Sequence, residues 1–144
     1  MNISDLMSSD HCRIEKHLEE FRGSVGAPDQ KKKFTDFRWE LEKHLFMEEK
    51  AIFTFARNED KEDFEAIPKL EREHDEIIDL LKKIETVMKE GKKQEAREEV
   101  DKLCNLLIKH KEFEDSKIYP KLDVELNDEQ KNIITKRIME FSPE

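Results

Sequence analysis

A histidine and a glutamate stand four residues apart at two places in the chain, each time in a stretch that otherwise carries apolar residues at helical spacing. The pairs are His44 with Glu48 and His110 with Glu114. Residues four apart on an α-helix lie on the same side, so each imidazole and its carboxylate point into the same apolar face. Burying an unpaired carboxylate costs several kcal/mol, a large part of the stability of a small domain. The two pairs therefore predict a cation in the interior, and a metal site is the leading interpretation.

Apolar residues recur three and four positions apart in five segments of the chain, which is the spacing of one face of a helix. The segments cover about residues 4–22, 30–57, 66–90, 92–119 and 127–140. Ser4 and Asn127 are suitable N-caps, whereas Gly91 and Pro120 are typical of helix ends. Charged residues make up 44% of the chain and hydrophobic residues 35%, which raises the question of disorder. The sustained periodicity favours folded helices instead.

Four long amphipathic segments joined by short connections predict an all-α fold, and more specifically an antiparallel up-down-up-down four-helix bundle. The bundle covers about residues 4–120, and an additional short C-terminal helix at about 127–140 is expected to cover one end or flank. The chain of 144 residues has the size of one domain, so a single domain over residues 1–144 is expected.

The charge balance and the cysteines limit the class of partner and the compartment. The net charge of −9 makes nucleic acid and anionic membrane surfaces poor partners. Cys12 and Cys104 do not have metal-site or redox-motif spacing, and no secretory signal precedes them. No apolar run approaches the roughly 20 residues that a membrane span needs. We therefore expect free thiols and a cytoplasmic protein, with no nucleic-acid or membrane partner.

The first two helical segments and the next two have the form of an internal repeat. His11 precedes His44 by 33 residues, and His74 precedes His110 by 36. The sequence after His44 also parallels the sequence after His110 through the glutamate and beyond. With a rise of about 1.5 Å per residue, each of these two histidine pairs falls at one level of the predicted bundle. A twofold repeat of this kind is suited to a roughly symmetric site with two centres.

Six inward-facing polar residues form the candidate site, and each lies at a position that the apolar spacing would give to core. They are His11, His44, Glu48, His74, His110 and Glu114. Nitrogen and carboxylate donors without a thiolate favour iron or manganese, with zinc less favoured. Six donors are too many for one tetrahedral zinc but suit two metals bridged by carboxylates. The ferritin-like pattern fits less well, because the only Glu-x-x-His is Glu71 to His74.

The order of these residues resembles the hemerythrin-like (HHE cation-binding) domain family. The shared pattern is a lone His, then His-x-x-x-Glu, a second lone His, and a second His-x-x-x-Glu on four successive helices, over about residues 4–120. The resemblance implies a four-helix bundle that holds two non-haem iron ions. It implies that His11 and His44 bind one iron and that His74 and His110 bind the other. Glu48 and Glu114 would then bridge the irons beside an oxo or hydroxo group.

The chain departs from the oxygen-carrying members of that family. These carry His-x-x-x-His on the third helix, whereas Ile78 stands four residues after His74. They also bridge with an Asp five residues after the last His. Asp115 has that offset, but Glu114 fits the inward face and the repeat better. The pattern is closer to relatives implicated in iron sensing and in repair of damaged iron centres, and two histidines per metal leave an open position on both irons.

Three functions remain open at the level of sequence. The first is a di-iron protein that senses or handles O2, NO or iron, with a small diatomic molecule or peroxide as its ligand. The second is a di-iron enzyme that acts on peroxide or oxygen, although no nucleophile triad or phosphate loop supports an enzyme. The third is a metal-free helical interaction module, which leaves the buried carboxylates unexplained.

Three further residues stand close to the candidate ligands. His17 lies six residues after His11 and is expected at the surface or the boundary of the core. Cys12 adjoins His11 in sequence but faces another way on a helix. Tyr119 is offset from Glu114 on an α-helix, so its expected role is packing.

Overall fold

The computed structural model describes residues 2–54 and 66–140, and its regular structure in these two ranges is entirely helical. The predicted all-α fold is confirmed. The α-helices are α1 (Ile3–Ser24), α2 (Gln30–Met47), α3 (Ile67–Lys89), α4 (Lys93–Phe113), α5 (Tyr119–Glu125) and α6 (Asp128–Glu140). The predicted end of the second segment at Arg57 lies outside the described residues.

Two π-helical segments, Glu48–Phe53 and Glu114–Ile118, continue α2 and α4 without a break in the chain's helical path. Their wider turns are closed by hydrogen bonds over five residues, from Thr54 N–H to the Glu49 carbonyl and from Tyr119 N–H to the Glu114 carbonyl. The sequence predicts uninterrupted α-helices here. Each π segment starts at one of the two inward glutamates, and π-helical turns often occur at functional sites.

The start of α1 differs from the prediction. Asn2, not Ser4, is the N-cap, and its side chain accepts a hydrogen bond from Asp5 N–H at 2.8 Å. The Asp123 carboxylate accepts further hydrogen bonds from Ile3 N–H at 2.8 Å and from Ser4 N–H at 3.0 Å. These bonds satisfy free N–H groups of the first turn and tie α1 to α5.

The predicted helix end at Pro120 is also wrong. The chain stays helical through α5, and Pro120 lies in the first turn of that helix, where a missing N–H group costs no hydrogen bond. The prediction of Asn127 as an N-cap is confirmed, since it accepts from Gln130 N–H at 2.8 Å and donates its own N–H to Gln130 at 3.0 Å. Gly91, with φ of 72°, ends α3 as predicted.

Two apolar clusters form the core, one on each side of the inward polar residues. On α1 the clusters contribute Met7 and Ile14, and His11 lies between these two residues. His74 likewise separates Leu70 from Ile77 on α3. On α2 and α4 the order of the clusters is reversed. Residues of α6, Ile134 and Ile138, complete the first cluster, so the C-terminal helix covers one end of the core as predicted.

In residues 2–54 and 66–140, no helix combines the length and the apolar character needed to cross a membrane.

Candidate metal centre

The structure brings all six predicted site residues into one buried layer. Their side chains are between 0% and 5% exposed, which is the range of the apolar core around them. Their donor atoms form two groups in which all atoms lie within 4.8 Å of one another. The first group is His11, His44 and Glu114, and the second is Glu48, His74, His110 and Glu114.

Glu114 belongs to both groups and turns one oxygen towards each. Its Oε1 lies 3.4 Å from His11 Nε2, and its Oε2 lies 3.3 Å from His110 Nε2. Within the described residues, neither oxygen has a hydrogen-bond partner. A carboxylate in this position spans the space between the two histidine pairs.

Glu48 presents one oxygen to the histidines. Its Oε1 lies 3.2 Å from His44 Nε2, 3.3 Å from His74 Nε2 and 3.8 Å from His110 Nε2. Its Oε2 accepts a hydrogen bond from the hydroxyl group of Tyr119. The two inward glutamates are therefore not equivalent, although the sequence repeat pairs them.

The inner atoms face one another at short range without forming hydrogen bonds. Among the described residues, the buried atoms that lack a hydrogen-bond partner include Nε2 of His44, His74 and His110, Oε1 of Glu48 and both carboxylate oxygens of Glu114. Buried polar groups normally have a hydrogen-bond partner. Each buried group that lacks one needs an explanation, and a bound ion is one such explanation. Imidazole and carboxylate donors aimed at common points are the arrangement that a divalent cation would satisfy.

Each of the four histidines directs its outer nitrogen, Nδ1, towards a second carboxylate. His74 pairs with Glu49 at 3.0 Å and His110 with Glu73 at 2.8 Å, while His44 pairs with Asp10. His11 Nδ1 lies 3.2 Å from Asp115 Oδ1 but forms no hydrogen bond with it, so the orienting bond is present for the other three histidines. A carboxylate on one ring nitrogen fixes the ring orientation and leaves the other nitrogen free to bind a metal.

These outer carboxylates follow the internal repeat. Asp10 and Glu73 each stand directly before the lone histidine of their half, and Glu49 and Asp115 stand directly after the inward glutamate. Asp10, Glu49 and Glu73 are site residues that helical spacing did not predict. The available signal was an acidic residue directly beside each lone histidine and each inward glutamate. Asp115, which has the offset of a bridging Asp, lies instead on the outer side of His11.

Tyr119 lies in the site, so its predicted role in packing alone is wrong. The residue is fully buried, and its ring lies 5.9 Å from the His11 ring between centroids. Residues five apart on an α-helix point to different sides, whereas in a π-helical turn they share a side. The π segment that begins at Glu114 therefore brings Tyr119 onto the inward face. His17 lies at the boundary of the core and Cys12 is exposed, as predicted.

In the absence of a metal, Glu48, His44 and His110 favour one another's charged forms. Burial alone would lower the pKa of His44 and His110, but the facing glutamates raise the pKa of His44 to about 10 and that of His110 to about 11. Burial opposes ionisation of Glu48 as well, yet the charge of His44 holds its pKa well below the usual value. The pKa of Glu114 is raised by burial and by the charge of Glu48. Positive charge among the buried site residues is therefore strongly stabilised by the two glutamates.

A cavity of about 60 Å³ adjoins the site between α1, α2 and α4. Three of the site histidines, His11, His44 and His110, form its inner wall. The remaining wall is mainly aliphatic and includes Ile14, Leu18, Leu41, Leu45 and Leu107. A space of this size and lining suits a small apolar molecule beside the inward nitrogens.

A sequence model described as the hemerythrin HHE cation binding domain matches residues 2–122. The chain belongs to this family. The match includes the whole buried layer and both π segments of this HHE domain, and it ends just before Asp123. No curated protein and no solved structure matched the chain.

Proposed function

We propose that this HHE domain is a non-haem di-iron binding protein that senses or handles O2, NO or iron. The observation that carries the proposal is the set of buried inner nitrogens and carboxylate oxygens that lack a hydrogen-bond partner among the described residues. Leaving such groups unsatisfied in a core costs about 1–3 kcal/mol each, and more for charged groups. Bound cations remove that cost.

In this proposal His11 and His44 would hold one iron, His74 and His110 would hold the other, and Glu48 and Glu114 would supply carboxylate oxygens to both, together with an oxo or hydroxo group. The division of the donors into two groups supports the pairing, since each group contains one of these histidine pairs. Nitrogen and oxygen donors without thiolate also accept manganese or zinc, which we rank below iron. Iron would supply reversible redox chemistry and binding of diatomic ligands, while the outer carboxylates would orient the imidazoles.

We infer that the helices form an antiparallel up-down-up-down bundle within a single domain. The order in which each helix meets the two apolar clusters supports this topology. From N- to C-terminus, α1 and α3 contribute first to the cluster that contains Met7 and then to the cluster that contains Ile14, whereas α2 and α4 meet them in the opposite order.

We propose a neutral diatomic molecule, O2 or NO, as the ligand, and a role in binding rather than in catalysis. The aliphatic wall of the adjoining cavity supports this choice, because it offers peroxide few hydrogen bonds in exchange for those it makes in water. The proposed setting is the cytoplasm, without a nucleic-acid or membrane partner. The net charge of −9 supports the exclusion of polyanions.

Metal analysis of anaerobically purified protein tests the proposal. About two irons per chain and a near-ultraviolet absorption that responds to O2 or NO are expected. His74→Ala should reduce the iron content, whereas His17→Ala, which removes a histidine at the boundary of the core, should leave it unchanged. Protein that stays metal-free after growth in iron-rich medium would contradict the proposal. Steady turnover of peroxide that Glu114→Ala abolishes would indicate an enzyme instead.

A further inference from the structure

Asp10, the carboxylate that pairs with the outer nitrogen of His44, uses its two oxygens for two different partners. Its Oδ2 pairs with Nδ1 of His44, and its Oδ1 accepts a hydrogen bond from the guanidinium group of Arg13. The Asp10 side chain is only 11% exposed, so a carboxylate oxygen without a partner would be costly at this position. Arg13 therefore supports the carboxylate that orients a histidine of the site.

The Arg13 side chain is itself held from α2. Its Nε lies 3.3 Å from Oε2 of Glu40, and Nζ of Lys43 lies 3.1 Å from the same oxygen. Glu40 and Lys43 are mostly buried, so this ion-pair network is largely shielded from water. A guanidinium group suits the position between Asp10 and Glu40, because it is planar and offers donors in several fixed directions.

The charges of this network balance one another. Asp10 and Glu40 carry two negative charges, and Arg13 and Lys43 carry two positive charges. Asp10 can therefore orient His44 without adding an uncompensated negative charge beside the two inward glutamates. Such a charge would be costly in a largely buried position.

Arg22 shows what an ordinary ion-pairing arginine of the same helix looks like. It pairs with Glu19 and Asp101, both of which are mostly exposed, and such surface pairs contribute little to stability. Arg13 is similarly exposed, at 38% against 45% for Arg22. The difference lies in the partner of Arg13, which is mostly buried and contacts a site histidine.

We propose that Arg13 is a positioning residue for His44. By binding one oxygen of Asp10, it keeps the other oxygen on the outer nitrogen of His44. It thereby fixes the direction in which that imidazole turns its inner nitrogen. The consequence for metal binding rests on the proposed function, whereas the orientation of the ring is a property of the metal-free chain.

Nuclear magnetic resonance of the metal-free protein with isotope-labelled histidine tests the inference. The measured quantity is the rate at which the Nδ1 proton of His44 exchanges with water. Arg13→Gln should raise this rate by at least about tenfold, because the carboxylate that shields the proton is no longer held in place. The Nδ1 protons of His74 and His110 should exchange as in the wild type. Arg22→Gln, the matched control on the same helix, should leave all three rates unchanged.

Anaerobic titration of the metal-free protein with Fe²⁺ measures the consequence for the site. Arg13→Gln should weaken iron binding by about fivefold, less than the loss of about tenfold or more for a group that bonds a metal ligand directly. In an Asp10→Ala background the same substitution should cause no further loss, because Arg13 acts through Asp10. A purely structural Arg13 would give additive losses.

Circular dichroism checks that the variants are folded. Should Arg13→Gln fail to fold, Glu40→Gln loosens the other side of the guanidinium group and should raise the exchange rate at His44 selectively. Equal acceleration at all three histidines would indicate a general loss of stability and would overturn the inference. An unchanged rate at His44, or additive losses with Asp10→Ala, would overturn it as well.

The exchange measurement needs no metal, so its failure would leave the proposed function intact. Absence of iron binding in the wild type, together with selective exchange at His44 in Arg13→Gln, would contradict the proposed function and support the orienting role of Arg13.

Discussion

The outer nitrogen of His110 lies 2.8 Å from Oε1 of Glu73, and Glu73 is the residue directly before His74. One short stretch of α3 therefore contributes an inward imidazole and, at the preceding residue, the carboxylate that orients an imidazole of α4. The same arrangement joins Asp10, directly before His11, to His44 of α2. Ring orientation in each half thus depends on the register between two neighbouring helices.

Glu73→Gln should lower the affinity for iron by about tenfold, at the low end of the range for such outer partners, because glutamine keeps an acceptor oxygen but loses the charge. Isothermal titration of the metal-free protein with Fe²⁺ measures the change. Glu76→Gln, three residues later on the exposed face of α3, removes the same charge without touching a histidine and serves as the control. Equal affinities for the two variants would show that Glu73 does not orient His110.

Removal of iron should lower the melting temperature by several degrees. A metal that binds only the folded chain stabilises it by about 2.7 kcal/mol per site when free metal is 100 times Kd. The measurement is thermal unfolding of the protein with iron and after treatment with a chelator. The double variant His44→Ala with His110→Ala should melt at the same temperature with and without iron. A melting temperature that does not change after treatment with the chelator would contradict a stabilising metal site.

The metal-free protein should lose stability as the pH rises from 7 to 9.5. The pKa values of His44 and His110 are raised to about 10 and about 11 in the folded chain, above the ordinary value of 6.5 that applies on unfolding. Between these limits the folded state binds more protons than the unfolded state, so the free energy of unfolding falls with increasing pH. Glu48, whose pKa is lowered, stays ionised throughout this window.

Urea unfolding at a series of pH values measures this loss, with a slope that corresponds to up to about two protons per molecule. The iron-loaded protein provides the comparison, because an imidazole bound to metal through its inner nitrogen has no proton to lose there. A free energy of unfolding that is constant or rises over this window in the metal-free protein would exclude protonated His44 and His110.

The sequence was sufficient to predict the all-α fold and the six inward residues, because helical spacing relates each position to a face without knowledge of its neighbours. His11 and His74 followed from that spacing alone. The role of Tyr119 could not be predicted in the same way. The wider π-helical turn after Glu114 changes which side of the helix Tyr119 faces, and the spacing of the apolar residues does not show that the turn is wider. The N-cap at Asn2 and the continuation of the helix through Pro120 depend on contacts with distant or adjoining elements that periodicity does not reveal.

Asp123→Ala should reduce the free energy of unfolding by about 1–2 kcal/mol, because the substitution removes the acceptors of the Ile3 and Ser4 N–H groups at the start of α1. Chemical denaturation measures the change.

Asp29→Ala is the matched control: Asp29 stands at the N-cap of α2, but its side chain makes no capping hydrogen bond within the described residues. The control should change the free energy of unfolding by less than about 0.5 kcal/mol. An effect of Asp123→Ala no larger than that of Asp29→Ala would show that the link between α5 and α1 does not stabilise the fold.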